Sequence, residues 1–379
     1  MSAPADFFQV GGALSDDAAS YIERSADREL LSALERGELC LVLAPRQTGK
    51  TSLMVHVLAR LNKKGIRAGF ADLQSLGSQT DPARWFSDML YQIERSLKLK
   101  TDSGEWWAAH DRLGPTQRFM SFLEDVVLTE IKDNVVLFLD EIDSVLGLPF
   151  SDDFFTTIRS VYNARAMNPS LRRLTFVLLG LATASSFIRN RSRTPFNIGT
   201  SIALDDFDRG STEPFRQVLG PESEPLIERI FYWTNGQPYL VQKLAAAVFL
   251  WPQDQRSVEH IDEEVRRSYL QRQITQDTHL KFIQDYLLDD TANINVRETL
   301  RTYRQVLQRK NVVENKQSPV QSRLKLAGVA RGENERLVPR NRIYESVFNV
   351  PWVQEHTPRD VQKFIAYSTP AVLLSLIHI

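Results

Sequence analysis

Cysteine is almost missing from this chain of 379 residues: Cys40 is the single one. That excludes an intrachain disulfide framework and a cysteine-rich zinc site, and it suits a reducing, cytoplasmic setting. The six histidines are scattered, with no H-x3-H or C-x2-C spacing, so no metal site is expected beyond one that a ligand brings. Net charge is also lacking, at −1 overall. Any case for a polyanionic partner must therefore be local. Met1-Ser2-Ala3-Pro4-Ala5-Asp6 has neither a basic region nor an apolar core, and no signal peptide is expected. The final apolar run, Val372 to Ile379, falls well below the ~20 residues that span a bilayer. A membrane partner is expected only if sequence beyond that run supplies a span. Within it, Leu374 to Ile379 reads as translated sequencing-adapter DNA and is set aside from fold reasoning.

What is present is a 42 % hydrophobic globular composition with room for two or three domains. The chain is organised around Ala44-Pro45-Arg46-Gln47-Thr48-Gly49-Lys50-Thr51-Ser52. An apolar run, Leu39 to Leu43, precedes it, and a helical pattern from Leu53 to Leu58 follows. Strand, loop, Gly-Lys-Thr and helix are the context that makes a P-loop credible. Backbone N–H groups of the loop and helix start suit phosphate oxygens. Lys50 suits the β- and γ-phosphates, and the Thr51 hydroxyl suits Mg²⁺. Ala44 stands where the pattern has its first glycine. The turn survives this unless the position needs positive φ.

The second signal is Val135-Val136-Leu137-Phe138-Leu139-Asp140-Glu141. Five apolar residues in a row predict a strand buried on both faces, with two acids at the end where α/β sheets bind ligands. Asp140 is expected to hold Mg²⁺ and Glu141 to polarise the attacking water. Asp143 reads as a cap or a local hydrogen-bond acceptor.

Further strands are expected over Ile66–Leu73, Leu174–Gly180 and Ile202–Leu204. The helix begun by Asp81-Pro82 carries Trp85, Met89, Ile93 and Leu97 on one face. Trp106 and Trp107 read as anchors in a polar connection. Thr183, Ser185 and Ser186 suit either γ-phosphate sensing or helix capping. Arg189, Arg191 and Arg193 suit either transition-state charge, with Arg193 the catalytic candidate, or a solvated loop. Tyr21 to Arg24, upstream of the P-loop strand, suits an adenine contact through Arg24 or a helix packed on the sheet edge.

Strands alternating with helices predict a parallel five-stranded α/β sheet over residues 1–206. A helical domain is expected over 207–275. A helical unit ending in a short β-wing, winged-helix-like, is expected over 276–355, and residues 356–373 read as a linker or the start of a further module. Gly236 and Pro238 stop one helix and start the next. Between Arg297 and Arg342 basic residues exceed acidic ones by eight, so DNA is an alternative partner.

The chain resembles the AAA-like ATPases of cyanobacteria and related bacteria, within the STAND group of signal-transducing P-loop (ASCE/AAA+-like) ATPases. The likeness rests on Val10-Gly11-Gly12-Ala13-Leu14, Tyr21-Ile22-Glu23-Arg24, the P-loop, Thr194-Pro195-Phe196-Asn197-Ile198-Gly199, Asn235-Gly236-Gln237-Pro238 and Arg340-Asn341-Arg342-Ile343-Tyr344. It implies nucleotide-binding, helical and winged-helix domains in that order, and ATP/ADP switching with Mg²⁺. It also implies Gly236 and Pro238 near the adenine, oligomerisation on activation, and a sensor or effector module such as a WD-repeat propeller. Arg340 and Asn341 are the nearest matches to the winged-helix residue that approaches a β-phosphate.

Overall fold

The computed structural model describes residues 7–77, 80–181, 198–290 and 294–358. The chain divides into two compact units. The first runs to Gln271 and includes Asn341–Ile343, and the second takes the remaining residues from Arg272 onward.

In the first unit, helix α1 (Ser25–Glu35) leads into β1 (Cys40–Leu43), α2 (Lys50–Lys63) and β2 (Arg67–Asp72). Helix α3 (Pro82–Leu97), α4 (Ser103–Ala109) and α5 (Pro115–Phe122) follow, and α5 runs through a π-helical turn into α6 (Leu128–Glu130). Then come β3 (Val135–Asp140), α7 (Ser151–Ala164), β4 (Leu174–Gly180) and β5 (Thr200–Ser201). The five strands are parallel, in the order β2-β3-β4-β1-β5. Strand β4 therefore lies between the strand that feeds the P-loop and the strand that ends in Asp140.

Period-two alternation gives each central strand two apolar faces. Leu41, Leu137, Leu139, Phe176 and Leu178 face a core built with α3, α5 and α7. Cys40, Val42, Val136, Phe138, Val177 and Leu179 face a second core built with α1 and α2. The expected stripe of α3 is buried at Trp85, Met89, Ile93 and Leu97. Asp81 caps that helix by accepting from the Ala83 N–H at 3.0 Å.

Strand β2 is an edge, yet its outward N–H groups are occupied. Ala68 donates to Asn62 Oδ1 (3.1 Å), Phe70 to Ser96 Oγ (2.8 Å) and Asp72 to Gln92 Oε1 (2.7 Å).

Two expectations change. Trp106 and Trp107 lie in helix α4, because Asp102 caps a helical turn there by accepting from the Glu105 N–H at 2.8 Å. Trp107 is buried beneath Arg118, whose guanidinium sits 4.9 Å from the ring. The fifth strand is Thr200–Ser201 and not Ile202–Leu204. Ile202 and Leu204 are buried in the core beside α2, but the residues paired with β1 are Thr200 and Ser201, and the last bond is that of the Ile202 N–H to Leu41 O at 2.9 Å.

Helices α8 (Glu213–Leu219), α9 (Ser223–Thr234), α10 (Pro238–Leu250) and α11 (Val258–Val265) complete the first unit. The second holds α12 (Thr278–Leu288), α13 (Val296–Leu307) and α14 (Pro319–Ala327), then an antiparallel pair, β6 (Ala330–Glu333) and β7 (Arg336–Pro339). Helices α15 (Arg342–Val347) and α16 (Val350–His356) follow. Buried Arg323 donates to the carbonyls of Tyr286 (3.0 Å), Ile294 (2.9 Å) and Asp289, tying α14 to the segment after α12. Among the described residues, no helix is long and apolar enough to cross a membrane.

Candidate nucleotide site

Strand β1 ends at Leu43, and after six intervening residues α2 starts at Lys50 with Gly49 as its N-cap. Ala44 is buried and is not among the residues with positive φ, so alanine meets the needs of the turn. Positive φ falls instead on Gln47 (58°) and Gly49 (86°). A Cβ on Gly49 would lie 3.1 Å from Arg24 Nη2. The Thr48 hydroxyl closes the loop by donating to the Pro45 carbonyl at 2.8 Å.

Lys50 is 6 % exposed, and its ammonium donates to the carbonyls of Ala44 (3.0 Å) and Pro45 (3.1 Å). Burial pulls its pKa down, while Glu141 and Asp140 oppose that shift. The Thr51 hydroxyl donates to Asp140 Oδ2 at 3.0 Å, and Asp140 Oδ1 accepts from the Glu141 N–H at 2.9 Å. Burial raises the Asp140 pKa against the pull of those two hydrogen bonds and of Lys50. Burial raises Glu141 as well, with Lys50 opposing. Glu141 sits at φ 54°, an uncommon conformation for a residue with a Cβ. Asp143 accepts from the Leu181 N–H at 2.7 Å and so ties the acidic turn to the end of β4.

Two hollows meet at this loop and share Gly12, Gln47, Gly49 and Ser52. One is lined also by Arg46, Lys50, Thr51, Gln74 and Glu141. It is polar and carries the loop's cation. The other is lined also by Leu14, Tyr21, Arg24, Phe207, Pro238, Tyr239 and Gln242. Its walls suit a flat heterocycle. The N-terminal segment is fastened across it. Leu14 N–H donates to Ser52 Oγ at 3.0 Å, Tyr21 stacks on His56 at 3.4 Å, and the Tyr21 hydroxyl donates to buried Asp27. Arg24 Nη1 donates to the carbonyls of Thr48 (2.8 Å) and Asp205 (3.2 Å), with its guanidinium 5.4 Å from the Phe207 ring.

Residues 9–350 match the model of the AAA-like domain family. The chain belongs to that family. It is similar to an uncharacterised WD repeat-containing protein of Synechocystis, at 35 % identity over 378 residues. That match takes in 96 % of this chain and 31 % of the relative, so the chain spans about a third of that protein. Among solved structures it is similar to a Walker-type ATPase of Pyrococcus abyssi. The TM-score is 0.54 and the identity 15 %, over 90 % of this chain and 99 % of the other. A P-loop ATPase fold is common to both chains.

The site of this AAA-like domain gathers most of the residues expected from sequence. Lys50, Thr51, Asp140 and Glu141 meet at the polar hollow, and Arg46, Gln47, Gly49 and Ser52 line it. Ala44, Pro45 and Thr48 form the back of the loop. Arg24 and Pro238 line the other, more apolar hollow. Gly236 does not line it. Its φ is 81°, and a Cβ there would lie 2.2 Å from the Phe207 carbonyl oxygen, while its own carbonyl accepts from the Phe207 N–H at 2.8 Å. Arg193 lies outside the described residues, as do Thr183, Ser185, Ser186, Arg189 and Arg191.

Sequence reasoning passed over Gln74, Phe207, Tyr239 and Gln242. Gln74 follows the end of β2, at the carboxyl edge where parallel sheets place ligands. Gln242 lies one helical turn beyond Pro238, a spacing that puts both on one face. Among the described residues there is no cluster of three or more His, Cys, Asp or Glu side chains suited to a resident metal.

Proposed function

We propose that this chain is the nucleotide-operated switch of a STAND-type signalling ATPase in bacteria. In this reading it binds ATP or ADP with Mg²⁺, hydrolyses ATP slowly to ADP and phosphate, and couples the nucleotide state to assembly or to an effector. The observation that carries the reading is the contact of Thr51 Oγ1 with Asp140 Oδ2 at 3.0 Å, in a polar hollow that also holds Lys50 and Glu141. A hydroxyl and a buried carboxylate so placed are oxygen donors suited to Mg²⁺.

The bound nucleotide would bring the phosphoanhydride, and its metal would neutralise charge on the phosphates. Lys50 would exchange its two loop carbonyls for phosphate oxygens. Glu141, with its raised pKa, would orient and deprotonate water. Arg24, Phe207 and Pro238 would enclose the base, and Arg193 is proposed to add charge to the leaving phosphates.

The helices over 207–275 are proposed to act as a lid, and the unit over 276–355 as a winged helix. Arg340 and Asn341 are proposed as its contacts with ADP. The Synechocystis relative is named for WD repeats, so a repeat propeller is the sensor or effector class that fits. Such a switch needs several kcal/mol of differential affinity between states, which favours slow turnover. Phosphate release by the wild-type chain, abolished in Glu141→Gln while ATP still binds, is the expected result. Undiminished release in that variant would remove Glu141 from the mechanism.

A DNA-directed ATPase is the second reading, and it draws on the cations that remain exposed. Arg301 and Arg304 on α13 and Lys310 beyond it face solvent. The rest of the basic surplus is partly engaged within its own unit, with Arg323 on carbonyls, Arg309 on Glu345, Lys325 on Glu314 and Arg331 on Glu333.

A further inference from the structure

In a planar trans peptide the carbonyl oxygen and the following N–H point in opposite directions. A hydrogen bond made behind the chain therefore sets what the chain presents in front. Two successive peptides of the P-loop are held in this way by groups from outside it. Gln47 O accepts from Gln237 Nε2 at 3.0 Å, and Thr48 O accepts from Arg24 Nη1 at 2.8 Å. The N–H groups of Thr48 and Gly49 are thereby turned to the opposite side. Among the described residues neither donates to a protein acceptor, although Thr48 is only 1 % exposed. Buried N–H groups without partners are rare. These two adjoin the first turn of α2, whose own leading N–H groups lack helical partners.

Both holding groups are fixed. Gln237 is 2 % exposed, and its Oε1 accepts from the Leu240 N–H at 2.7 Å as the cap of α10, so its amide nitrogen is the end that reaches Gln47. Arg24 is 8 % exposed and shares Nη1 with Asp205 O. The left-handed backbone of Gln47 is unfavourable for a residue with a Cβ, and the bond from Gln237 offsets that.

We infer that Arg24 and Gln237 are positioning residues for the phosphate cradle. They act on a di- or triphosphate through the carbonyls of Gln47 and Thr48; Gln237 does so without lining the base hollow, whereas Arg24 lines it as well. This rests on the nucleotide-binding reading above. It also makes the cradle conditional. When the start of α10 leaves the loop, the Gln47 carbonyl is released, the peptide is free to rotate, and every phosphate ligand loses affinity alike.

The test is Gln237→Glu in the full chain, titrated with ATP, GTP, inorganic triphosphate and adenosine. The substituted carboxylate keeps the Leu240 cap and replaces the donor to Gln47 O with an acceptor. Affinity for ATP and for inorganic triphosphate should fall by a common factor, about tenfold or more. The ATP-to-GTP ratio and adenosine binding should not change. Gln237→Leu removes the donor without adding charge and should show the same pattern more weakly. Melting of the ligand-free variants separates this from misfolding. Unchanged triphosphate affinity with an altered ATP-to-GTP ratio would overturn the inference, since Gln237 would then read the base. A wild-type chain that binds neither ATP nor triphosphate would overturn the functional reading, and the inference with it.

Discussion

Thr51 and Asp140, 89 residues apart in sequence, touch through a hydroxyl–carboxylate hydrogen bond of 3.0 Å. The contact joins the first turn of α2 to the end of β3 across the intervening strand β4. Thr51→Ala and Asp140→Asn each remove one oxygen donor suited to Mg²⁺. Nucleotide affinity measured with Mg²⁺ should fall about tenfold or more in either variant. Affinity measured in EDTA should move little, because the N–H cradle and Lys50 remain. Equal losses with and without Mg²⁺ would place the pair outside metal binding.

Glu141 and Asp140 share a second property: burial raises both carboxyl pKa values. A raised folded-state pKa means the folded chain binds these protons more readily than the unfolded chain does. The stability linked to them is fully present below the ordinary carboxylate range and is lost as pH rises through their raised values. The ligand-free chain therefore carries a cost at neutral pH. Glu141→Gln should melt higher than wild type at pH 7, and the gap should close as pH falls towards about 4. Phosphate release by wild type should fall on acidification, with an inflection above the usual carboxylate value. A lower melting temperature for Glu141→Gln at pH 7 would contradict this.

Gly236 and Gly65 both have positive φ, at 81° and 79°, but only Gly236 is crowded. Gly65→Ala should cost about 1–2 kcal/mol from its backbone alone. Gly236→Ala adds the collision with the Phe207 carbonyl and should cost about 3 kcal/mol or more. Urea denaturation of the two variants measures the difference directly. Similar costs would mean that the Phe207 segment yields freely.

Arg323 and the pair Arg301–Arg304 divide the basic surplus into two kinds. Arg323→Met removes the buried donor of three part-buried carbonyls and should destabilise its unit by about 2 kcal/mol. Arg301→Gln with Arg304→Gln and Lys310→Gln should leave melting within about 0.5 kcal/mol. If the DNA-directed reading holds, this triple variant loses duplex binding and the slope of affinity against salt flattens. Absence of wild-type binding at about 50 mM salt removes that reading.

The sequence carried the parts of this site that local pattern encodes. An apolar run before Gly-Lys-Thr marks β1, the loop and α2, and a second run before Asp140-Glu141 marks β3, because buried parallel strands leave no room for polar residues. Gly236 and Pro238 were legible as helix punctuation. Contacts made by distant backbone were not. Nothing in the neighbourhood of Gln237 says that its amide reaches the Gln47 carbonyl, 190 residues away. Nor does Gly236 announce the carbonyl of Phe207. Hydrophobicity points to Ile202–Leu204 as the fifth strand because it reports burial, whereas the residues that pair with β1 are the polar Thr200 and Ser201. The polar residues around Trp106 and Trp107 suggest a loop and obscure the cap at Asp102 that starts their helix.

The side chains of Asn62, Ser96 and Gln92 on the outer N–H groups of β2 have a consequence for assembly. A strand that has already given its free donors to its own helices offers no template to a sixth strand. Growth of the sheet by edge-to-edge addition is closed at that end, both to a second copy and to an extended peptide. Any contact made on that side of the sheet is left to helices and loops, which can be made and broken without adding to the sheet.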